Sequence, residues 1–83
     1  MQNMSVTLLL FASYADAFGA PSLSVDLPER ATVADLLTAI ARRPGAHVLP
    51  KMPLVAVNQR YADASTHIAA GDEVALIPPV AGG

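Results

Sequence analysis

The chain has 83 residues, no cysteine and a formal net charge of −2. This length suits one domain, and the lack of cysteine excludes disulfides, thiolate nucleophiles and thiolate-bound metals. The five basic residues are scattered between Arg30 and Arg60 without forming a basic stripe, so nucleic-acid binding is not expected. The longest apolar run, Leu8 to Ala12, is too short to span a membrane, and no basic residue precedes it as in a signal sequence. We therefore predict a cytoplasmic protein without a membrane segment.

The composition also predicts a protein partner. Hydrophobic residues make up 53% of the chain and charged residues only 14%, whereas charged residues are about one quarter of a typical soluble domain. A small domain with so few charges exposes apolar area, and exposed apolar patches commonly mark interaction surfaces.

The N-terminal third predicts two strands of a hairpin. Val6–Ala12 is rich in β-suited residues and apolar on both faces at its end, which indicates a central strand. Ser13–Pro21 contains glycine and proline and predicts a loop with at most one helical turn. Ser22–Leu27 alternates polar and apolar residues, as expected of a strand with one buried face. Residues 1–4 are predicted to be disordered.

A helix is predicted to begin at Thr32. The Thr32 hydroxyl can cap the first turn while Asp35, three residues later, reaches back to the cap. One buried stripe has the spacing i, i+3, i+4, i+7 and consists of Val33, Leu36, Leu37 and Ile40. Arg42 and Arg43 are predicted to lie in the last turn, where cations suit the helix dipole, and Pro44-Gly45 to end the helix. An anion site at the two arginines is the alternative.

The second half predicts three more strands. Leu54–Val57 and Arg60–Ala62 are short β-suited runs joined by a turn at Asn58-Gln59, and Glu73–Ile77 follows a glycine turn. His47–Pro53 is expected to be irregular. The order predicts an α+β fold in which a mixed sheet of about five strands packs on one main helix.

Residues 78–83 are predicted to form a flexible tail, which ends in the diglycine Gly82-Gly83. Pro78 and Pro79 have no N–H to give a sheet, and the two glycines add no side chain that could block entry to a narrow channel. Fully extended, the tail could reach about 20 Å at roughly 3.3 Å per residue. We interpret the terminal carboxylate as the working group of the chain; an ordinary frayed terminus is the alternative.

Several segments resemble the MoaD family, the small sulfur-carrying subunit of molybdopterin synthase, which has the ubiquitin-like β-grasp fold. The resemblance covers nearly the whole chain from about Val6 and is most specific in Val55–Gln59 and Gly71–Gly83, with further matches in Leu10–Ala12 and Ala31–Leu37. A terminal diglycine alone would be shared with every ubiquitin-like carrier.

The resemblance implies a non-catalytic subunit that carries sulfur. An E1-like, MoeB-like adenylyltransferase uses ATP to adenylate the carboxylate of Gly83, and a sulfur donor system converts it to a thiocarboxylate. The MoaE-like large catalytic subunit then receives the tail, and the sulfur passes to cyclic pyranopterin monophosphate. No cofactor is bound permanently, and ATP binding belongs to the activating enzyme because this chain has no phosphate-binding glycine loop.

The resemblance also assigns the site residues. Gly83 and Gly82 carry the chemistry, and the positions assigned to partner binding are Phe11, Tyr61, Ile77, Pro78, Pro79, Val80 and Ala81. Alternation alone leaves open that Phe11 and Ile77 are core residues. Where relatives often have an arginine after the first strand, this chain has Tyr14-Ala15-Asp16, which puts a salt bridge from that loop in doubt.

Other interpretations remain open. The chain could be another diglycine sulfur carrier, for thiamine, amino-acid or tRNA thiolation, or a ubiquitin-like modifier that forms isopeptide bonds. It could also be a noncovalent β-grasp binding module. A metal site is not expected, because His47 and His67 are the only histidines and lack paired ligand spacing.

Overall fold

The structure, a computed structural model, describes residues 3–79. These residues form two helices and a sheet, in the order β1 (Asn3–Leu10), α1 (Ala12–Phe18), β2 (Ser22–Pro28), α2 (Val33–Ile40), β3 (Leu54–Val57), β4 (Arg60–Ala62) and β5 (Glu73–Ile77). A 3-10 turn at Ala46–Val48 lies between α2 and β3.

The sheet has five strands in the order β2-β1-β5-β3-β4. β1 and β5 are parallel, and the other neighbouring pairs are antiparallel, so the predicted mixed sheet is confirmed. The last strand therefore lies at the centre of the sheet, between β1 and β3. Consequently, the chain leaves the sheet from its middle rather than from an edge.

The core lies between α2 and one face of the sheet. Alternate residues of β1 are buried, from Met4 to Leu10. The predicted helical stripe faces them: Val33, Leu36 and Ile40 are buried, and Leu37 is half-buried against the same cluster. Burial of these side chains is the main stabilising term, at about 1.5–3 kcal/mol for each large apolar side chain.

The start of α2 is fixed by the predicted capping box. The Asp35 amide donates to the Thr32 hydroxyl oxygen at 3.3 Å, and the Thr32 amide donates to the Asp35 carboxylate at 2.9 Å. Each bond satisfies an amide that the first helical turn leaves without a partner, and a cap of this kind contributes about 1 kcal/mol.

The end of α2 differs from the prediction. The helix stops at Ile40, so Arg42 and Arg43 lie beyond its last turn. The Arg43 guanidinium instead donates to the carbonyl oxygen of Ser24 in β2 at 2.6 Å. Gly45 follows with a φ of +99°, and a Cβ there would clash with the backbone of Ala17 in α1. Glycine is therefore required at this turn, because a side chain there would meet the backbone of α1.

Two predictions for the N-terminal third are wrong. β1 begins at Asn3 and ends at Leu10, because β2 extends to Pro28 and pairs with Asn3 and Met4. Residues 3 and 4 are thus not disordered, and residues 1 and 2 lie outside the described residues. The segment after Phe11 is the two-turn helix α1 rather than a loop. Its formation depends on burial of Tyr14 in the core, a tertiary effect that glycine and proline content could not reveal.

The turns of the second half agree with prediction. Asn58 and Gln59 have φ values of 52° and 69°, and Gly71 has a φ of 87°. Two successive left-handed residues are the signature of a type I′ hairpin turn, which suits the twist of β3 and β4. No helix within residues 3–79 is long and apolar enough to cross a membrane.

Candidate functional site

The tail begins at the end of the central strand. Within β5, Leu76 pairs with Leu10 of β1, and Ile77 pairs with Leu54 of β3. Pro78 is half-buried and Pro79 is exposed. The remaining predicted site residues, Val80, Ala81, Gly82 and Gly83, lie outside the described residues.

The sheet face opposite α2 carries apolar side chains next to the tail. One row crosses four strands, because Ala75 pairs with both Leu9 and Ala56, and Ala56 pairs with Tyr61. A second row contains the Ile77–Leu54 pair. Phe11 follows β1 in extended conformation, two residues after Leu9, and so continues the same face. We call this set the outer patch: Leu9, Phe11, Leu54, Ala56, Tyr61, Ala75 and Ile77.

Three large side chains of the outer patch are open to solvent. Tyr61 is 73% exposed, Leu54 47% and Phe11 46%. The paired alanines Ala56 and Ala75 are each 8% exposed. Their short side chains leave a shallow depression in the middle of the patch, flanked by the larger side chains. The seven residues of the patch carry no charge, and an apolar patch of this kind suits a protein partner better than a charged ligand.

All three sheet residues predicted for partner contact lie on the outer patch. Tyr61 is at its β4 edge, Ile77 is half-buried at the root of the tail, and Phe11 is exposed beside it. The alternative that Phe11 and Ile77 belong to the core is wrong, because the buried cluster lies on the other side of the sheet. Their contact with a partner remains a prediction.

Sequence reasoning missed two exposed apolar residues near the tail. Leu54 is predicted from sequence only as a strand residue, and Met52, which is 82% exposed, lies in the segment predicted to be irregular. The available signal was a pair of large apolar residues flanking Pro53, the second of which is the first residue of β3.

A groove of about 210 Å³ lies at the root of the tail, lined by Tyr14, Pro50, Met52, Leu54, Ile77 and Pro79. Tyr14 comes from α1 and is only 3% exposed, and burial raises the pKa of its hydroxyl. In α1, where the resemblance implied an arginine, this chain presents an exposed Asp16 and a buried tyrosine instead of a cation.

Hydrogen bonds involving the side chains of Asp72 and Asn58 fix the loop that leads into β5. The Asp72 carboxylate accepts from the Ala69 amide at 2.8 Å and from the Asn58 side chain at 3.0 Å. These two bonds lower the pKa of Asp72, with the Ala69 amide as the larger cause. The Glu73 amide donates to the Asn58 side-chain oxygen at 3.0 Å. The first residue of the tail-bearing strand is thereby tied to the β3–β4 turn.

The histidines do not form a site with other ligand side chains. His67 Nδ1 lies 2.8 Å from the carbonyl oxygen of Arg30. The backbone of His67 also forms an isolated antiparallel β-bridge with that of Thr32, at the start of α2. In the described part of the chain, no group of three histidine, cysteine, aspartate or glutamate residues could hold a metal ion.

Comparison with known proteins identifies the family. A sequence profile described as the ThiS family matches residues 8–83. The chain is a member of the ThiS family. This ThiS-family protein is 35% identical to the molybdopterin synthase sulfur carrier subunit of Dictyostelium discoideum, over 92% of this chain and 93% of the relative.

Solved structures agree with that assignment. The ThiS-family protein superposes on SAMP1 from Haloferax volcanii with a TM-score of 0.81 and 35% identity, over 95% of this chain and 99% of the other. It superposes on a putative molybdopterin converting factor, subunit 1, from Pyrococcus furiosus with a TM-score of 0.80 and 29% identity, over 93% and 99% of the two chains. The predicted ubiquitin-like β-grasp fold and the resemblance to the small sulfur-carrier family are confirmed.

Proposed function

We propose that this protein is the sulfur carrier subunit of a molybdopterin synthase. The observation that carries the proposal is the 35% identity, over nearly the full length of both chains, to a relative of that name. The family match runs through Gly83, so it includes the residue that would hold the sulfur. The proposed working site is the Gly83 carboxylate, with Gly82 before it.

The proposed chemistry begins with activation of a poor acyl donor. A carboxylate oxygen of Gly83 attacks the α-phosphate of ATP on an E1-like, MoeB-like partner, and pyrophosphate leaves. Sulfur from a donor system then attacks the carbonyl carbon and displaces AMP, which leaves a thiocarboxylate. The carrier gives its sulfur to cyclic pyranopterin monophosphate in a MoaE-like large subunit. The protein holds no permanent cofactor in this scheme.

In this scheme the carrier itself contributes a tail that is long enough to reach a partner's active site and narrow enough to enter it. An extended path from Pro78 to Gly83 would span about 20 Å, enough to carry the last carbonyl carbon into a partner's active site. Gly82 and Gly83 have no side chains to collide with a channel shaped around backbone. The rigid central strand β5 is a suitable base, since it is hydrogen-bonded on both sides.

The proposed docking surface is the outer patch together with the tail residues Pro78, Pro79, Val80 and Ala81. Phe11, Tyr61 and Ile77 are its proposed contact residues, with Leu54 added from its exposure. Support comes from the exposed apolar side chains directly beside the root of the tail. We propose that the activating enzyme and the large subunit both approach this face, in the cytoplasm.

Intact mass spectrometry tests the proposal. The chain is incubated with the adenylyltransferase, ATP and a sulfur donor, and replacement of one oxygen by sulfur at the C-terminus is expected. Addition of the large subunit and cyclic pyranopterin monophosphate should then return the oxygen form and yield molybdopterin. A thiocarboxylate that the large subunit does not discharge would instead indicate a carrier for thiamine, amino-acid or tRNA thiolation.

A ubiquitin-like modifier is the second candidate, because the similar structure from Haloferax volcanii is named a small archaeal modifier protein. In that case the activated Gly83 would form isopeptide bonds with lysines of other proteins. Self-conjugation would be restricted to Lys51, the one lysine in the sequence, and the N-terminus. High-mass adducts would support this candidate, and an unchanged mass would favour a noncovalent binding module.

A further inference from the structure

Methionine supplies all the side-chain sulfur of this protein, because the sequence contains three methionines and no cysteine. Met1 lies outside the described residues, and the other two differ in their surroundings. Met4 is 9% exposed and belongs to the core cluster, whereas Met52 is 82% exposed just before β3. Because a thioether is oxidised by a reagent that must reach its sulfur, an oxidant in solution should attack Met52 ahead of Met4.

Met52 forms a wall that two grooves share. One is the groove at the root of the tail, which Met52 lines together with Leu54 and Ile77. The other has a volume of about 450 Å³, lies between α2 and strands β3 and β4, and is lined by apolar residues and Asp63. Leu54 lines both grooves and also belongs to the outer patch. The thioether of Met52 therefore lies at the margin of the outer patch, beside the root of the tail.

A partner seated on the outer patch and the tail would cover Met52. The thioether suits such a contact, because it is apolar and its unbranched chain adapts to a neighbour. A sulfoxide would place a polar oxygen at the same point, and covering that oxygen without a hydrogen-bond donor costs free energy. Since Met52 is not a member of the core cluster, the same change should leave the fold intact.

We propose that Met52 is a redox-sensitive modification site, where hydrogen peroxide oxidises the thioether to a sulfoxide and so weakens docking of the large synthase subunit. The inference rests on the proposed function, because it takes the large subunit as the occupant of the outer patch. The sulfur lone pair attacks one peroxide oxygen, an S–O bond forms as the O–O bond breaks, and water leaves. Sulfur loses two electrons and the peroxide gains them. A methionine sulfoxide reductase reverses the step with electrons from an external thiol, since this chain has no cysteine.

Peptide mapping after limited peroxide treatment locates the modification. The free-carboxylate form of the chain is used, so that no thiocarboxylate consumes peroxide. Trypsin cleaves after Lys51, so Met52 and Met4 fall in different peptides. We expect the mass of one added oxygen on the Met52 peptide first, with an unchanged midpoint of urea unfolding. Oxidation of Met4 as early as Met52 would contradict the inference.

Isothermal titration with the MoaE-like large subunit tests the effect on docking. Oxidation at Met52 should lower the affinity by about fivefold or more, the change expected when one polar group is covered without a partner. Treatment with the reductase should restore the original value. Met52→Leu is the matched control, because it keeps a large apolar side chain and both other methionines; its affinity before and after peroxide should be the same.

The remaining outcomes overturn the inference in different ways. Equal affinities of the oxidised and untreated chains would show that docking does not cover Met52. An equal loss of affinity in peroxide-treated Met52→Leu would assign the effect to another residue. A lower unfolding midpoint of the chain oxidised at Met52 would show that the fold, rather than the docking surface, is damaged. Failure of the untreated chain to bind is seen before peroxide is added, and it would remove the proposed function itself.

Discussion

Asn58 donates a hydrogen bond from its side-chain amide to the Asp72 carboxylate, 3.0 Å away and 14 residues later in the chain. Asn58 lies in the Val-Asn-Gln segment and Asp72 in the Gly-Asp-Glu segment, so the two stretches most similar to the sulfur-carrier family meet in space. Together with the bond from the Glu73 amide to Asn58, this contact fixes where β5 begins.

Asp72 should make the free energy of unfolding decrease as the pH is lowered into the acid range. Its hydrogen bonds lower the pKa in the folded state below the ordinary value of 3.8. The bonds therefore contribute stability above the pKa of the unfolded chain, and that contribution is lost as pH falls through the folded pKa. Urea unfolding of Asp72→Asn from neutral pH to about pH 3 should show lower stability at neutral pH and a smaller loss on acidification.

Asp63 should also contribute to the acid dependence of the free energy of unfolding. Hydrogen bonds from Ser65 and Thr66 also lower its pKa, so Asp72→Asn should remove only part of the acid dependence. Asp26, an exposed carboxylate on β2 with no such bonds in the described chain, supplies the matched control as Asp26→Asn. An acid profile of Asp72→Asn identical to that of the unsubstituted chain would contradict the assignment.

Gln59→Gly should stabilise the fold. Gln59 is held at a φ of 69°, a conformation that costs a side-chain-bearing residue roughly 1–2 kcal/mol and glycine very little. Its position is the second of a type I′ turn, where glycine is strongly favoured. We expect the free energy of unfolding to rise by about 0.5–1 kcal/mol in urea titrations, after the greater entropy of glycine in the unfolded chain is deducted.

Gln59→Ala is the comparison for the turn. Alanine keeps the Cβ that makes a positive φ unfavourable and removes the rest of the side chain. Its stability should stay close to that of the unsubstituted chain, so a stabilisation equal to that of Gln59→Gly would show that relief of backbone strain is not the cause.

Tyr61→Ala should weaken docking without weakening the fold. The side chain is 73% exposed and lies on the outer patch opposite Ala56. Exposed aromatic residues at interfaces often lose more than about 1 kcal/mol of binding on truncation, which is a fivefold or greater loss of affinity. Calorimetric titration with the large subunit measures the loss, and Thr38→Ala on the exposed face of α2 serves as the control. Equal affinities for Tyr61→Ala and the unsubstituted chain would remove Tyr61 from the docking surface.

The sequence predicted the elements whose signals are local. The capping box at Thr32, the buried stripe of α2, the Asn58-Gln59 turn and strands β3 to β5 depend on neighbouring residues and formed as expected. Elements decided by tertiary contacts were missed. α1 forms around the burial of Tyr14, and the early start of β1 depends on pairing with the end of β2.

The same distinction between local signals and tertiary contacts applies to the candidate site. The tail residues were proposed from their chemistry, because proline and glycine have distinctive backbone properties; Val80 to Gly83 lie outside the described residues, so that assignment stays a prediction. The side of the sheet on which Phe11 and Ile77 lie could not be settled, since a shift of one residue reverses the face of every side chain in a strand. The burial of Tyr14 also required the fold, because nothing local marks a tyrosine as buried.

Deletion of Gly83 bears most directly on the central claim that the terminal carboxylate carries sulfur into a partner. The variant and the intact chain are each incubated with the adenylyltransferase, ATP, a sulfur donor, the large subunit and cyclic pyranopterin monophosphate, and molybdopterin is quantified. The shortened tail ends about 3.3 Å earlier, and urea unfolding should show an unchanged fold. We predict that the intact chain supports molybdopterin formation and that the deletion abolishes it; full activity of the deletion variant would contradict the claim.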